Sequence, residues 1–407
     1  MGDTKKLRIL ACPSNHGGCA YYRILLPMQK LEELHGDEVE IRFDDNPLGW
    51  CKETGKTTPE NFEYENLKWA DVVFTQNIHN FGGNYTIEVM RKAHELGKFT
   101  HFDTDDLLTN LYKGHRLYGV YEDQQLDEVT KYIYNNVDLV SVTQRKFAQR
   151  IAPFVNGALV VIKNAIDYRL PCWNSKKLPK PKKLTRVGWV GGIHHDVDIK
   201  HFSLIPYLVN QKVGPQKVHW GFYGKPQQPP GERDWQWDVW EGYEQQVKKG
   251  LRGQSNYTIY PAMPPNTYGE MYRNIDVNIA VLDNNEFNDS KSEIKAMECG
   301  RYGIPLVATN VGCYDEIIVN GQTGYLIDPS NPKKEWVKAL SKCINDPKHV
   351  QEMGMALKTL CDELYDINKI VGGRLALYRQ MMDLKKQALS DALMEQKEKN
   401  IVEDVTA

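Results

Sequence analysis

Twice along the chain, short apolar runs alternate with longer amphipathic stretches, and this alternation limits the possible folds more than any other feature. In the first half the runs fall at 7–12, 38–43, 71–75, 99–102, 139–142 and 160–162, with helical spacing near 20–34, 84–96, 122–135 and 144–152 between them. Over 20–34, the residues Ile24, Leu25, Met28, Leu31 and Leu34 fall on one face, the stripe of a helix packed on a sheet. Uniformly apolar runs this short suit strands buried on both faces, and repeated β-α-β units place such strands in a parallel sheet covered by helices. Residues 174–186, with two prolines, many lysines and little that is apolar, read as a connector, a nucleic-acid patch being the competing reading. The pattern then restarts at 186–190, 218–223, 258–260, 277–281, 305–308 and 324–327. The expected architecture is α/β: Rossmann-like domains at 1–170 and 187–363, a linker at 171–186, and a helical tail at 364–407 that returns toward the first domain.

The 407 residues suffice for two cores, and 41% hydrophobic with 26% charged residues is a globular composition. No run approaches the roughly 18 apolar residues of a membrane span, and no signal-peptide pattern opens the chain, so a cytoplasmic location is expected. A formal charge of −2 argues against a uniformly basic nucleic-acid binder while leaving room for a local basic groove. Eight scattered cysteines without a Cys-x-x-Cys pair point to reduced thiols rather than a structural zinc site.

The stretch from Phe287 to Thr309 carries the most chemistry. A polar loop leads into a helix, and Gly303-Ile304-Pro305 then feeds a buried strand. Lys291 and Ser292 stand at the helix N-terminus, where aligned peptide dipoles favour an anion. Lys295 follows four residues later on the same face, and Glu298 is placed to accept hydrogen bonds from a vicinal diol. An ordinary amphipathic helix with a solvated Lys/Glu face is the alternative. Asp103, Asp105 and Asp106 stand at the C-terminal end of the run at 99–102, where open α/β sheets carry their sites. They suit a magnesium ion or an acceptor hydroxyl, with helix capping as the structural alternative. Residues 227–256 interrupt the second domain with Trp235, Trp237 and Trp240, either a stacking platform or packing over the sheet edge.

Taken in order, Gly17-Gly18-Cys19-Ala20-Tyr21-Tyr22-Arg23, Asn164-Ala165-Ile166-Asp167, Trp189-Val190-Gly191-Gly192 and the stretch from Ser290 through Glu298 to Thr309 resemble the GT-B glycosyltransferases. The likeness is to the retaining, glycogen-synthase-like group called family four, and the opening motif also resembles bacteriophage members. The resemblance implies a GT-B fold and transfer of a sugar, with retention, from a nucleotide-diphosphate sugar to a hydroxyl. A UDP-sugar is the expected co-substrate, with no tightly bound cofactor, no assigned metal site, and Mg2+ left open. It further implies donor contacts from Gly17, Gly18, Gly191, Gly192, His194, Ser290, Lys291, Ser292, Lys295 and Glu298, His195 being the alternative to His194. Glu298 matches the second of the family's two glutamates, while the first falls on Ser290. The family's usual arginine and lysine after the second domain's first strand are also missing, so Lys291 and Lys295 are assigned the diphosphate charge. Catalytic roles are expected for Asp103, Asp106, Lys291 and Lys295, and acceptor contacts from Tyr21, Tyr22, Arg23 and Asp105.

The phage-like opening suggests duplex DNA bearing hydroxymethylated pyrimidines as acceptor, in host cytoplasm. Its basic groove would draw on Lys113, His115, Arg116, Lys131, Arg145, Lys146 and Arg150. A cell-envelope glycan, a protein acceptor, or a relic that only binds nucleotide are the alternatives.

Overall fold

The computed structural model describes residues 5–51, 58–79, 82–227 and 235–406. Strands β1 (Leu7–Pro13), β2 (Val39–Phe43), β3 (Val72–Gln76), β4 (Phe99–Asp103), β5 (Leu139–Val142) and β6 (Ala158–Val161) form one sheet in the order β2-β1-β3-β4-β5-β6. A second sheet contains β7 (Thr185–Val190), β8 (Val218–Lys225), β9 (Tyr257–Pro261), β10 (Val277–Ala280), β11 (Leu306–Thr309) and β12 (Gly324–Ile327), ordered β12-β11-β10-β7-β8-β9. Neighbouring strands in both sheets run parallel. Each run read from the sequence is a strand: the central ones are apolar along their length because both faces are buried, while the edge strand β2 alternates, with Val39 and Ile41 inward and Arg42 and Phe43 exposed.

Strand order reverses between β1 and β3 in the first sheet and between β7 and β10 in the second. Loops leaving the C-terminal ends of strands diverge at such a point and open a crevice. The pleat sets which residues reach it. Val277 and Ile279 of β10 join Val187 and Trp189 of β7 in one core, while Ala280 turns to the other face with Ala296 and Met297 of the helix Ile294–Arg301.

Three local features depart from the simple pattern. The first helix contains a π stretch, Tyr21–Leu25, before the α-helix Leu26–His35; a π turn widens the coil and re-aims its side chains. The helical segment near 122–135 is two helices, Tyr118–Asp123 and Leu126–Asn136, broken where Gln125 takes a left-handed conformation. In the insertion, residues 228–234 lie outside the described residues, and the helix Trp235–Leu251 follows them. There Trp240 is buried against Trp189, and Trp237 lies under the Lys225 ammonium at 4.3 Å, so packing accounts for two of the three tryptophans.

The chain crosses between domains twice, and the two crossings are paired: Ile166 N–H donates to Tyr365 O and Ile367 N–H to Ile166 O, each at 2.9 Å. The helix Gly372–Thr406 then returns to the first domain. Its Tyr378 hydroxyl meets His101 Nδ1 at 2.8 Å beneath the sheet, and Lys385 pairs with Asp138 at 2.7 Å. Among the described residues, no helix is long and apolar enough to cross a membrane.

Candidate donor and acceptor cleft

Between the two sheets, at both points of strand-order reversal, lie two adjoining cavities of about 200 and 360 Å³ that share Cys19, Asp105, Asn164, Gly192, Ile294 and Lys295. The first domain contributes the loops after β1, β4 and β6; the second contributes those after β7 and β10 and the helix Ile294–Arg301.

That helix supplies the charged centre. Its N-cap, Glu293, makes no side-chain cap hydrogen bond, and its first turn carries no acidic residue, so the positive end of the helix dipole is uncompensated. The Glu293 carboxylate instead faces away, accepting from Lys163 at 2.8 Å and from Tyr365 at 2.7 Å. Lys291 and Ser292 line the smaller cavity, Lys295 lines both, and Glu298 lines the larger. Lys291 sits over the Phe287 ring at 4.9 Å and makes no ion pair among the described residues. Lys295 donates to Glu298 Oε2 at 2.9 Å and to Tyr268 at 3.2 Å. Burial works against the Lys295 charge, but Glu298 and Tyr268 outweigh it and hold its pKa above the ordinary lysine value.

Glu298 is 1% exposed and accepts three bonds: Tyr22 at Oε1 (3.1 Å), and Tyr272 (2.6 Å) and Lys295 (2.9 Å) at Oε2. A carboxylate offers about four acceptor directions, so room for a further donor remains at the cleft edge. Burial first, and the Glu298 charge next, push the Tyr22 and Tyr272 hydroxyls well above their usual range, keeping both as donors.

The first domain's aspartates divide. Asp103 is fully buried beneath the cleft, where Arg23 Nε and Nη2 grip its two oxygens at 2.8 and 2.6 Å and Ser141 donates to it. Burial opposes its ionisation, but the Arg23 guanidinium prevails and its pKa is lowered. Arg23 also donates to Ile162 O at 2.6 Å and Asn164 Oδ1 at 3.1 Å. The structure therefore places Asp103 and Arg23 in the lobe's floor and not on the cavity wall. Asp105 and Asp106 are half-buried in that wall. Burial and the neighbouring Asp106 charge raise Asp105 to about 6, and burial raises Asp106 while Lys291 pulls it down. With Asp103 turned toward Arg23, the three carboxylates do not converge, and among the described residues no group of three or more potential metal ligands does.

The remaining expected contacts separate in the same way. Gly17 and Gly18 line the larger cavity beside Tyr22, while Tyr21 stacks edge-on against Tyr22 at 5.4 Å. Gly192 opens onto both cavities with free space where a Cβ would stand, whereas a Cβ at Gly191 would run into the Trp189 indole. His194 is exposed and stacks on His115 at 5.8 Å; His195 lines the smaller cavity, its Nδ1 2.6 Å from Asp198. Ser290 is buried and donates to Glu286 O at 2.9 Å, pointing back into its own turn. Asp198, Tyr268 and Tyr272 were not legible as site residues. Tyr268 and Tyr272 reach the cleft through Lys295 and Glu298, distant in sequence, whereas Asp198 acts through His195 three residues before it, a spacing that by itself marks no site.

Polar contacts hold the lobes together around the cleft. Asp289 accepts from Arg150 at 2.6 Å and Lys146 at 3.2 Å, Lys146 also donates to Gly312 O at 2.6 Å, and Asn164 donates to Ser292 Oγ at 2.9 Å. Phe287 inserts into the first domain's core, 4.6 Å from the His115 ring. Four of the seven residues expected to form a DNA groove are thereby engaged: Lys146 and Arg150 with Asp289, Lys131 with Asp127 and Glu128, and buried His115 with Phe287.

Residues 244–359, which span the helix holding Glu298, match the family of glycosyl transferases group 1. The likeness to group 1 glycosyltransferases lies in that segment, and the two facing parallel sheets form a GT-B fold. The chain is similar to the D-inositol 3-phosphate glycosyltransferase of Corynebacterium diphtheriae, 36% identical over 93 residues, which is 23% of this chain and 20% of that protein. Its structure resembles sucrose-phosphate synthase from Thermosynechococcus elongatus (TM-score 0.67, 14% identity, 93% of this chain and 100% of that one). It also resembles Anabaena HepE in complex with UDP-glucose (TM-score 0.60, 14% identity, 91% and 99%). At these identities the structural likeness establishes the fold, which is GT-B.

Proposed function

We propose that the chain transfers a sugar from a UDP-sugar to a hydroxyl acceptor, with retention at the anomeric carbon. The observation that carries this reading is the convergence of Lys291, Lys295 and Glu298 from one short helix and its leading loop with Gly192 and Asp105 from opposite lobes. The ribose diol donates to the open side of Glu298, and the diphosphate lies against Lys291 and the helix N-terminus. The bond between the anomeric carbon and the diphosphate oxygen breaks with its electron pair going to the phosphate. The acceptor oxygen forms the new bond from the same face and gives its proton to the leaving phosphate. Lys291 stabilises the charge that grows on that phosphate, while Lys295 chiefly fixes Glu298. Asp105 and Asp106 accept from sugar and acceptor hydroxyls across the cleft, and closure of the lobes excludes water. UDP-glucose bound to HepE and the 93-residue likeness to a glycosyltransferase support the donor class.

For the acceptor, a neutral hydroxyl-bearing molecule such as a glycan fits better than duplex DNA. Ion pairs already occupy Lys131, Lys146 and Arg150, leaving fewer cations to meet phosphates. A panel of nucleotide sugars measured by calorimetry, followed by mass spectrometry of candidate acceptors, tests both parts. Failure of every nucleotide sugar to bind defeats the donor assignment. Transfer to DNA with a steep salt dependence defeats the acceptor assignment.

A further inference from the structure

The cleft is short of positive charge for a diphosphate. Lys291 makes no ion pair among the described residues, Lys295 is neutralised by Glu298, and Asp105 and Asp106 occupy the facing wall. A nucleotide sugar brings two negative charges on its diphosphate, of which Lys291 matches one in full and the helix N-terminus part of the other, so the site has use for one more cation. Opposite Asp105 and Asp106, on the loop after β7, stands an imidazole built to supply it. His195 lines the cavity, and its Nδ1 is held 2.6 Å from Asp198 Oδ2, which leaves Nε2 as the nitrogen available to a ligand. Asp198 is 3% exposed, and its other oxygen accepts from Asp283 N–H at 2.6 Å and Asn288 Nδ2 at 3.0 Å. Burial opposes the Asp198 charge, but His195 first, then Lys291 and the Asp283 N–H, hold its pKa below the ordinary carboxylate value. The His195 backbone N–H donates to Tyr243 at 3.0 Å, and the Trp189 ring meets the imidazole edge-on at 5.7 Å, fixing the ring's position.

Resting on the donor reading above, we infer that the His195–Asp198 pair takes up a proton when a nucleotide-diphosphate sugar enters the cleft, the imidazolium becoming the second cation on the diphosphate. In the empty cleft, burial first and the Lys291 charge next hold the imidazole below its ordinary pKa, with Lys295 adding to the effect and Asp198 opposing it. An arriving dianion cancels the lysine repulsion and reverses that balance. Asp283 acts on Asp198 only through its backbone, its carboxylate lying 3.0 Å from His201. Asp105 and Asp106, across the cavity, are the other groups able to take up a proton there. The linkage has a definite sign: a proton bound with the ligand makes affinity fall as pH rises, by up to about tenfold per pH unit between the free and bound pKa values.

The test is calorimetric titration of the full chain with UDP-glucose at pH 7.5, in buffers of different ionisation enthalpy. UDP-glucose holds two diphosphate charges throughout this range and so contributes no proton of its own. The expected result is net proton uptake, with Kd rising roughly three- to tenfold from pH 6.5 to 8. Uptake and pH dependence are lost in His195→Gln, reduced in Asp198→Asn and kept in His194→Gln, whose side chain lies outside the cavities. Binding without uptake, or uptake unchanged in His195→Gln at an unchanged melting temperature, overturns the inference. So does uptake lost in Asp106→Asn alone, which assigns the proton to the acidic pair. Absence of any UDP-glucose binding is a different failure, of the donor reading itself, and takes this inference with it.

Discussion

Tyr22 of the first lobe donates its hydroxyl to Oε1 of Glu298 in the second, 3.1 Å away and 276 residues later in the chain. This bond ties the glutamate of the donor cleft to the opposite domain, and it is the one protein donor to that oxygen among the described residues. Tyr22→Phe leaves a buried carboxylate oxygen unpaired, at a cost of about 1–2 kcal/mol of stability. Urea denaturation of the free protein measures it. A midpoint equal to that of the parent shows that solvent or another donor already serves Oε1.

Glu298→Gln removes the charge that pairs with Lys295 and weakens the grip on a ribose diol. A bond to a charged acceptor becomes a neutral one, so nucleotide-sugar affinity falls by about 1–2 kcal/mol, roughly 5- to 30-fold in Kd. Calorimetry with UDP-glucose reads the change. Equal affinity in the variant places the ribose elsewhere.

Asp105 accepts from Asn77 at 2.9 Å and needs its charge to accept from an acceptor hydroxyl as well. Burial and Asp106 raise it to about 6, so turnover at saturating donor falls as pH drops through that value. Saturation removes the opposite pH trend expected of donor affinity. In Asp105→Asn the acid limb disappears along with most of the rate. A limb that persists in the variant belongs to another group.

His101 is buried between Tyr378 and Ser141, at 2.8 Å from each, and burial lowers it to about 3. Between that value and the ordinary imidazole pKa near 6.5, the unfolded chain carries a proton that the folded one does not. Stability therefore declines as pH falls through this window, by about 1.4 kcal/mol per unit from this residue. Denaturation midpoints from pH 7 to 4 should show a shallower decline for His101→Gln. Parallel slopes would mean that His101 charges in the folded state or that its region has already opened.

Asp289 is the anchor of the interlobe contacts, accepting from Arg150 and Lys146. Asp289→Ala removes both ion pairs, and the lobes of the free protein should separate further. Small-angle scattering reads this as a larger radius of gyration, returning toward the parent value when donor is added. An unchanged radius in the variant shows that Phe287 and the paired crossings hold the lobes without it.

Strand placement was decided by composition along the chain: a central parallel strand covered on both faces has no polar side to hide and announces itself as an apolar run, and the edge strand β2 shows its one buried face as alternation. The Lys291, Lys295 and Glu298 group was legible for a related reason, since one short helix and the loop before it fix their relative positions whatever the rest of the chain does. Contacts between lobes carry no such local mark. That Lys146 and Arg150 would close on Asp289, and that Tyr22 would reach Glu298, depends on how two sheets face each other; that Arg23 would be spent on Asp103 depends on how the first helix packs on its own sheet. The histidines show the limit most sharply. His194 and His195 are adjacent in a loop, and only the packing of that loop against Trp189 and Tyr243 turns the second into the cleft and leaves the first outside, because side-chain direction in an irregular segment follows from tertiary contacts and from no period in the sequence.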